Sequence, residues 1–502
     1  MERNFQQTVS CEHDMAPEVS NIDVEECVSS GMLCHDTSYH DFAETEKKGF
    51  QSALLAWYDR DKRTNMPWRK PTRTDLDREA LSQRAYEVWV SEIMLQQTQV
   101  ATVIDYYNRW MEAFPTIHDL ANADIEQVNT LWAGLGYYSR ARRLWEGAQK
   151  IVKELSGQLP NNAKDLEQQI PGVGRYTAGA IASIVFNEKT PVVDGNVIRV
   201  IARMRAIGAD PKKASTVQLF WDIATSIVSE EKPGDFNQAL MELGARICTP
   251  QKPSCDICPV KEYCHAVKQL ETHLRMKSEK FVNNSKKRRR SVDHTCKYCP
   301  QLQSPLSDDD YTVTRYPFKP EKKKPREEDC ATYIVECVRE KGSKFLLSKR
   351  PETGLLAGLW EFPCMELENQ DSTYEERKAR ASSFLKEKFG LIIENDEPSA
   401  IIRKDLGNVV HLFSHIRKVY HLEWIQVSTS IADTCVLSET TKWIDADELK
   451  DAPIPTALKK AIKIMEQHRS GKSAKKPKTS KSSLAAATGS KSITSFFTAI
   501  PR

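Results

Sequence analysis

The stretch from Leu166 to Arg205 leaves this chain few ways to fold. A helix through Leu166 runs out at Ile170-Pro171-Gly172-Val173-Gly174, where two glycines in three residues allow a tight turn and a close approach of backbone amides to something outside. A second helix, Tyr176 to Phe186, follows at once, and its small residues Ala178, Gly179, Ala180 and Ala182 permit close packing. Amides at a hairpin feeding a helix N-terminus form an anion site suited to a phosphate. By itself such a glycine pair is an ordinary tight turn. The sequel sharpens it: Val192-Val193-Asp194-Gly195-Asn196, then an amphipathic helix with Val197, Val200, Ile201 and Met204 on one face. Asp194 thus stands just before a helix N-terminus, where the dipole favours a carboxylate. An aspartate there is also an ordinary cap.

Three further segments carry chemistry. A helix over about Leu81 to Leu95 holds Glu92 beside the apolar Val88, Trp89 and Leu95. Burial favours the neutral acid, which is what a general acid near pH 7 requires; a buried glutamate paired with an arginine reads equally well. Gly134 to Arg140 reads as a loop opening a basic helix, with Arg140, Arg142 and Arg143 placed to meet phosphates and a tyrosine able to wedge between bases. Met66-Pro67-Trp68-Arg69 is, on its face, packing plus an ion pair. The helix from Val100 to Phe114 places Val103, Ile104, Tyr107, Trp110 and Met111 in step as core.

Cys248, Cys255, Cys258 and Cys264 follow the amphipathic run from Phe236 to Ile247 with the spacing C-x6-C-x2-C-x5-C. Four thiolates this close together define a metal site. Zinc and an iron–sulfur cluster both accept four cysteines, and ligand chemistry does not choose between them.

These segments together resemble the helix-hairpin-helix DNA glycosylases. From about residue 50 to 465 the chain is similar to the eukaryotic form of their MutY family, which acts on adenine. The resemblance implies that the hairpin with Gly172 and Gly174 grips a DNA phosphate. It makes Glu92, in the motif Ser91 to Thr98, the residue that protonates the adenine. Asp194 then faces the sugar cation, with Tyr176 and Asn196 orienting the pair. Trp68 and Arg69 line the adenine pocket, and Gln96, Gln97 and Tyr137 enter the duplex. The cysteines hold a [4Fe–4S] cluster. Bifunctional relatives carry lysine where this chain has Tyr176, so base excision without strand nicking is expected.

The fold class implied is multidomain. An acidic tail over 1–46, with Arg3 its only basic residue, precedes an all-α glycosylase domain over 47–276. A connector over 277–328 leads to a Nudix-like α+β domain over 329–467 and a basic tail over 468–502. In that Nudix-like domain, strands are expected at 333–335, 345–347 and 358–362, with a helix over Glu376 to Phe389. Aligning the Nudix box on Gly390-Leu391 puts Ser383, Phe384 and Lys388 where Arg, Glu and Glu are needed, leaving Glu387 alone to gather Mg²⁺. Nucleotide hydrolysis is therefore not expected. The resemblance makes this domain the reader of 8-oxoguanine through Phe413, Ser414 and His415.

In the connector, Cys296 and Cys299 match part of a zinc site that in the family takes three cysteines and an N-terminal histidine, here His40. Arg289 stands about where the third cysteine would lie, so His294 or a water is expected to complete the shell. Ser490 to Phe497 resembles a sliding-clamp (PCNA) peptide, with Ile493, Phe496 and Phe497 as anchors and Ser490 in place of Gln. The runs Lys286 to Arg290 and Lys475 to Lys478 suit nuclear import, with a mitochondrial form left open. Other repair or checkpoint proteins could bind the connector, and the chain is expected as a monomer.

Composition bounds the rest. Thirteen cysteines, an odd number in a chain of 502 residues, argue against a disulfide framework. No apolar run approaches the ~18 residues of a membrane span. Two rivals remain at this level: an endonuclease III–like lyase for oxidised pyrimidines, and a non-catalytic DNA-binding scaffold. Tyr176 disfavours the first, and the presence of both Glu92 and Asp194 disfavours the second.

Overall fold

The computed structural model describes residues 37–71, 76–280, 296, 298–299, 311–320, 324–340, 342–368, 372–393, 401–413, 415–452 and 454–470. His294, Ser414, Lys286 to Arg290 and the tail peptide with Ile493, Phe496 and Phe497 lie outside them. The described parts of Met1–Phe50, Ile198–Ile223 and Arg246–Lys319 form one compact unit, and the remainder forms a second.

The helical part of the second unit is built on α2 (Arg78–Leu95), preceded by α1 (Glu44–Asp61) and followed by α3 (Val100–Ala113), α4 (Ile117–Asn122), α5 (Ile125–Trp132) and α6 (Ser139–Glu154). Asp77 sets the start of α2 by accepting the amide of Ala80 at 2.8 Å, one turn before the expected start. Such a cap contributes about 1 kcal/mol. Ala85 to Met94 are all buried, so α2 is packed on every side and serves as the central helix. Its own Trp89 is fully buried, as are Trp110 and Trp132 in the same core. On α3, Val103, Tyr107 and Trp110 are buried, while Ile104 and Met111 pack at the margin of the same core.

Next in the chain come α7 (Ala163–Gln169), α8 (Arg175–Phe186), α9 (Gly195–Met204), α10 (Ala214–Ile227), α11 (Pro233–Arg246) and α12 (His265–Lys280), of which most of α9 and α10 and all of α12 belong to the first unit. Ile170 ends α7, Gly172 turns at φ +78°, and Gly174 is the N-cap of α8. A side chain at Gly172 would sit 2.7 Å from the Cβ of Arg143, so close packing and backbone sign both demand glycine.

Among the described residues, the remainder of the second unit is built on a seven-stranded sheet, with β1 (Arg326–Arg339), β2 (Gly342–Lys349), β3 (Trp360–Glu361), β4 (Cys364–Leu367), β5 (Ile401–Leu412), β6 (Ile416–Val427) and β7 (Thr441–Asp445). Its path is β3-β2-β1-β6-β5, with β4 on β1 and β7 on β2. The central pair β1 and β6 is parallel, from Arg326–Ile416 to Cys337–Val427. That pairing explains why β1 outruns the expected 333–335, since both its neighbours reward extension. Helix α13 (Tyr374–Phe389) starts at a capping box of Thr373 and Glu376 and stops at Gly390 with φ +67°. Phe384, at a position where a Nudix metal site needs a carboxylate, packs on Tyr333 and Phe389.

The expected boundaries move. Thr37–His40 form a 3₁₀ turn and α1 begins at Glu44, so the acidic tail does not extend to residue 46. The reason is His40, which is fully buried and bonded to the carbonyl of Arg205. Among the described connector residues, the Tyr316 carbonyl accepts Arg203 Nε at 3.0 Å and its phenol donates to Gln269 at 2.9 Å. Among the described residues, no helix is long and apolar enough to cross a membrane.

Candidate active site and metal-binding groups

Glu92 sits near the end of α2, 6% exposed. Its Oε2 accepts a 2.7 Å hydrogen bond from the phenol of Tyr176, the second residue of α8. Burial is the main reason its carboxyl is pushed up to about 7. The phenol's donation opposes this, the charge of Asp194 adds to it, and Arg69 opposes it. Burial, with Glu92 and Asp194 nearby, raises the Tyr176 phenol well above its ordinary value, so it remains a donor at neutral pH. Met241 Sδ lies 3.3 Å from the same oxygen.

Asp194 is both a cap and a held carboxylate. Its Oδ1 accepts the amide of Val197 at 2.8 Å and its Oδ2 accepts Asn196 Nδ2 at 2.8 Å. The charge of Asp194 reaches both Glu92 and Tyr176, so the three groups share one electrostatic environment. The loop before Asp194 is pinned by the buried Asn237, which accepts from Val192 N at 3.3 Å and donates to Thr190 O at 2.9 Å and Ser183 Oγ at 3.0 Å.

Trp68 is buried edge-to-face against Tyr107, 5.2 Å between ring centroids. Arg69 pairs with Glu242 at 3.2 Å, and Glu242 also takes Arg63 through Nε at 2.7 Å and Nη2 at 2.8 Å. Packing and ion pairing therefore hold for both, with the Arg69 charge also reaching Glu92. Burial would raise the Glu242 carboxyl, but the two arginines override it and hold it below its usual range. Sequence reasoning missed Glu242 and Asn237. The available signal was a carboxylate and an amide inside the otherwise apolar stripe of Phe236 to Ile247, the argument already applied to Glu92.

Two of the candidate DNA-facing residues, Gln96 and Gly172, share a cleft, lined also by Arg143 and Pro171. Gln97 and Tyr137 adopt left-handed backbone at φ +58° and +50°, and Tyr137 is 44% exposed. The expectation of three phosphate-seeking arginines needs correction: Arg140 is 9% exposed and its charge is spent on backbone carbonyls, while Arg142 pairs with Glu352. In the sheet domain Phe413 closes the β5–β6 hairpin through its amide to Ile416 O at 2.8 Å and stacks edge-on with His411, and His415 is exposed at the tip.

Cys255, Cys258 and Cys264 follow one another through two 3₁₀ turns, Cys255–Ile257 and Lys261–Tyr263. Arg203, 1% exposed, donates to Cys248 Sγ at 3.3 Å and to the carbonyls of Cys248, Thr249 and Pro250, tying the start of the loop down. Burial, and then the other thiols, raises Cys258 to about 11 and Cys264 to about 12, so ionising these sulfurs together requires a compensating cation. A single zinc would need its sulfurs within ~4 Å of one another. Among the described residues, the group whose ligand atoms all lie within 4.8 Å is a different one: His40, Cys296 and Cys299. The four loop thiols supply the soft donor set that a cluster and a zinc both accept.

His40 Nε2 lies 3.2 Å from Cys296 Sγ and 3.5 Å from Cys299 Sγ. Its Nδ1 is 2.7 Å from the carbonyl of Arg205, which only accepts, so the ring proton sits on Nδ1 and Nε2 is left for the sulfurs' side. The three residues expected from different ends of the sequence are therefore together.

A glycine hairpin feeding a helix, a capped aspartate beside a buried glutamate, and a cysteine loop define the class: a helix-hairpin-helix DNA glycosylase with a [4Fe–4S] cluster. The HhH-GPD superfamily base excision DNA repair protein profile matches residues 90–225, the iron-sulfur binding domain of endonuclease III matches 248–264, and the NUDIX domain matches 334–463. Adenine DNA glycosylase from Homo sapiens is 44% identical over 438 residues, covering 87% of this chain and 77% of the relative. Its Schizosaccharomyces pombe counterpart is 39% identical over 428 residues, covering 83% and 89%. Among solved structures, the C-terminal domain of mouse MUTYH in complex with human PCNA shares 29% identity at a TM-score of 0.24, covering 29% of this chain and 91% of that one. The chain belongs to the adenine DNA glycosylase family and is a DNA glycosylase of base excision repair.

Proposed function

We propose that this enzyme removes adenine paired with 8-oxoguanine or guanine by hydrolysing its N-glycosidic bond, without cutting the strand. The observation that carries the reading is the Glu92–Tyr176–Asp194 grouping. The adenine must first leave the stack. Glu92, neutral for about half the time near pH 7, protonates the base at N7 and makes it a better leaving group. Asp194, held by Asn196 and the Val197 amide, faces the positive charge that develops on the sugar. Tyr176 keeps the Glu92 carboxyl aimed, and as a phenol it cannot form a Schiff base with the sugar. Trp68 and Arg69 border the base; Gln96, Gln97 and Tyr137 enter the duplex; Gly172 and Gly174 hold a phosphate. Cys248, Cys255, Cys258 and Cys264 would hold the cluster, whose bonds would brace the loop that also carries Lys252 and Lys261.

One assay tests this. Duplexes carrying adenine opposite 8-oxoguanine, adenine opposite guanine, and thymine glycol are incubated with purified protein and resolved with and without alkali. Adenine release on the first two, with strand breaks only after alkali, is expected. Prompt nicking, or preference for thymine glycol, would refute the reading.

The β5–β6 tip with Phe413, Ser414 and His415 is proposed as the reader of 8-oxoguanine. The His40, Cys296 and Cys299 group is proposed to hold zinc, with His294 or a water as fourth ligand. Metal analysis should find about one zinc beside the cluster iron, and His40→Ala should lose the zinc while retaining the iron. A chain with iron and no zinc would remove the site. The basic tail is proposed to bind the sliding clamp through Ile493, Phe496 and Phe497, and the basic runs to direct the protein to the nucleus. A chain ending at residue 470 should lose retention on immobilised clamp and, with Lys286 to Arg290 also replaced, nuclear accumulation.

A further inference from the structure

Arg140, the second residue of α6, points its guanidinium back under two loops rather than out to solvent. Nη1 donates to the carbonyls of Ile93 at 2.8 Å, Met94 at 3.3 Å and Gln96 at 2.5 Å. Nη2 donates to the carbonyls of Gly136 at 3.0 Å and Leu135 at 3.5 Å. Its plane lies over Trp132 at 5.3 Å and Tyr137 at 5.5 Å. Ile93, Met94 and Gln96 supply the carbonyls that the end of α2 leaves without helical partners, and a cation is favoured there. Burial lowers the guanidinium to about 10, so it keeps its charge at neutral pH.

The two loops so joined are more than 35 residues apart in sequence. Each runs directly into a non-glycine residue in the left-handed region, Gln97 at φ +58° and Tyr137 at φ +50°. Residues with a Cβ enter that region only when their surroundings hold them there. The common element in those surroundings is Arg140, bonded to the carbonyl immediately before Gln97 and to the one immediately before Tyr137. A lysine could carry the charge, but its single ammonium cannot span both carbonyl sets as a planar fork does.

We propose that Arg140 is a positioning residue that couples the Gln97 turn to the Tyr137 loop, so that both side chains enter the duplex as one preformed wedge. The proposal rests on the reading of Gln97 and Tyr137 as inserting residues. It predicts a defect in extruding the adenine rather than in breaking its bond.

The test uses the full-length, cluster-loaded protein with Arg140→Lys. Base unstacking is followed by stopped-flow fluorescence of 2-aminopurine placed at the target position, and adenine release by single-turnover kinetics on the duplex with 8-oxoguanine. Both rates should fall together by about tenfold or more, as for loss of one charge-assisted contact from the rate-limiting state. Affinity for a duplex with tetrahydrofuran in place of the target nucleoside, which has no base to extrude, should fall far less. Because Arg140→Lys could weaken the fold, Gly136→Ala serves as a second probe. Gly136 lies at φ +75° with open space around its Cβ position, so the methyl strains the same loop and leaves Arg140 in place. It should show the same split between unstacking and affinity.

Adding Tyr137→Ala and Gln97→Ala to Arg140→Lys should not multiply the losses. Multiplicative losses, or unstacking at the wild-type rate in Arg140→Lys and Gly136→Ala, would overturn the coupling. If Tyr137→Ala and Gln97→Ala alone unstack the base at the wild-type rate, the insertion reading itself falls, a result obtained with Arg140 untouched.

Discussion

Asp194→Asn should lower the single-turnover rate of adenine release about a thousandfold while leaving the protein folded. A carboxylate ~4 Å from the sugar cation, at an effective dielectric of ~20, stabilises it by roughly 4 kcal/mol. That figure corresponds to about three orders of magnitude in rate. The substitution isolates charge from structure, because an amide oxygen can still accept the Val197 amide and cap α9. What it disturbs is the other oxygen: a new NH₂ would face Asn196 Nδ2, donor to donor. Thermal melting should therefore drop modestly, and affinity for undamaged duplex should hardly move. A rate within tenfold of the parent would mean that Asp194 is only a cap.

The second large effect is at Glu92, and it has two faces. Glu92→Gln should cost ~10²–10⁴-fold in adenine release, the usual range for a general acid. In the parent, release should be flat below pH 7 and decline as pH rises through the raised carboxyl at about 7, because only the protonated form donates. The variant should lose that decline along with its rate. Stability should move the opposite way. The folded carboxyl lies above its ordinary 4.5, so the native state holds a proton that the unfolded chain gives up. The fold is accordingly strongest below the unfolded value and loses stability as pH climbs from 4.5 to about 7, by at most on the order of 3 kcal/mol. A neutral glutamine escapes that loss. At pH 8, Glu92→Gln should melt higher than the parent while being nearly inactive. A lower melting temperature there would show that burial of the carboxylate is not a burden on the fold.

How far the sequence could be read follows from what periodicity encodes. Glu92 was legible because its turn neighbours Val88, Trp89 and Leu95 are apolar, and the structure buries it for that reason. Gly172 was legible because backbone sign and close approach leave a mark in residue type, whereas Gly174, at φ −102° with open space at its Cβ position, meets neither requirement. Tyr176 and His40 came only through resemblance; a tyrosine at the start of a helix and a histidine in a polar tail carry no local signal. Arg140 was misread. A run of three arginines looks the same whether it faces solvent or carbonyls, and only tertiary packing separates Arg140 from Arg142 and Arg143. Glu242 was passed over because a glutamate on an amphipathic helix is usually solvated, whereas here Arg63 and Arg69 enclose it.

The pairing of His40 with Cys296 and Cys299 has a consequence for how the chain is made. The histidine precedes Cys299 by 259 residues. At ~5–20 residues per second, the nascent chain waits roughly 13 to 50 s between translating the one and the other. Throughout that interval the Thr37–His40 turn has neither thiol to meet. A stalled ribosome or a premature stop anywhere in the intervening two hundred and more codons therefore yields a polypeptide whose beginning can never close.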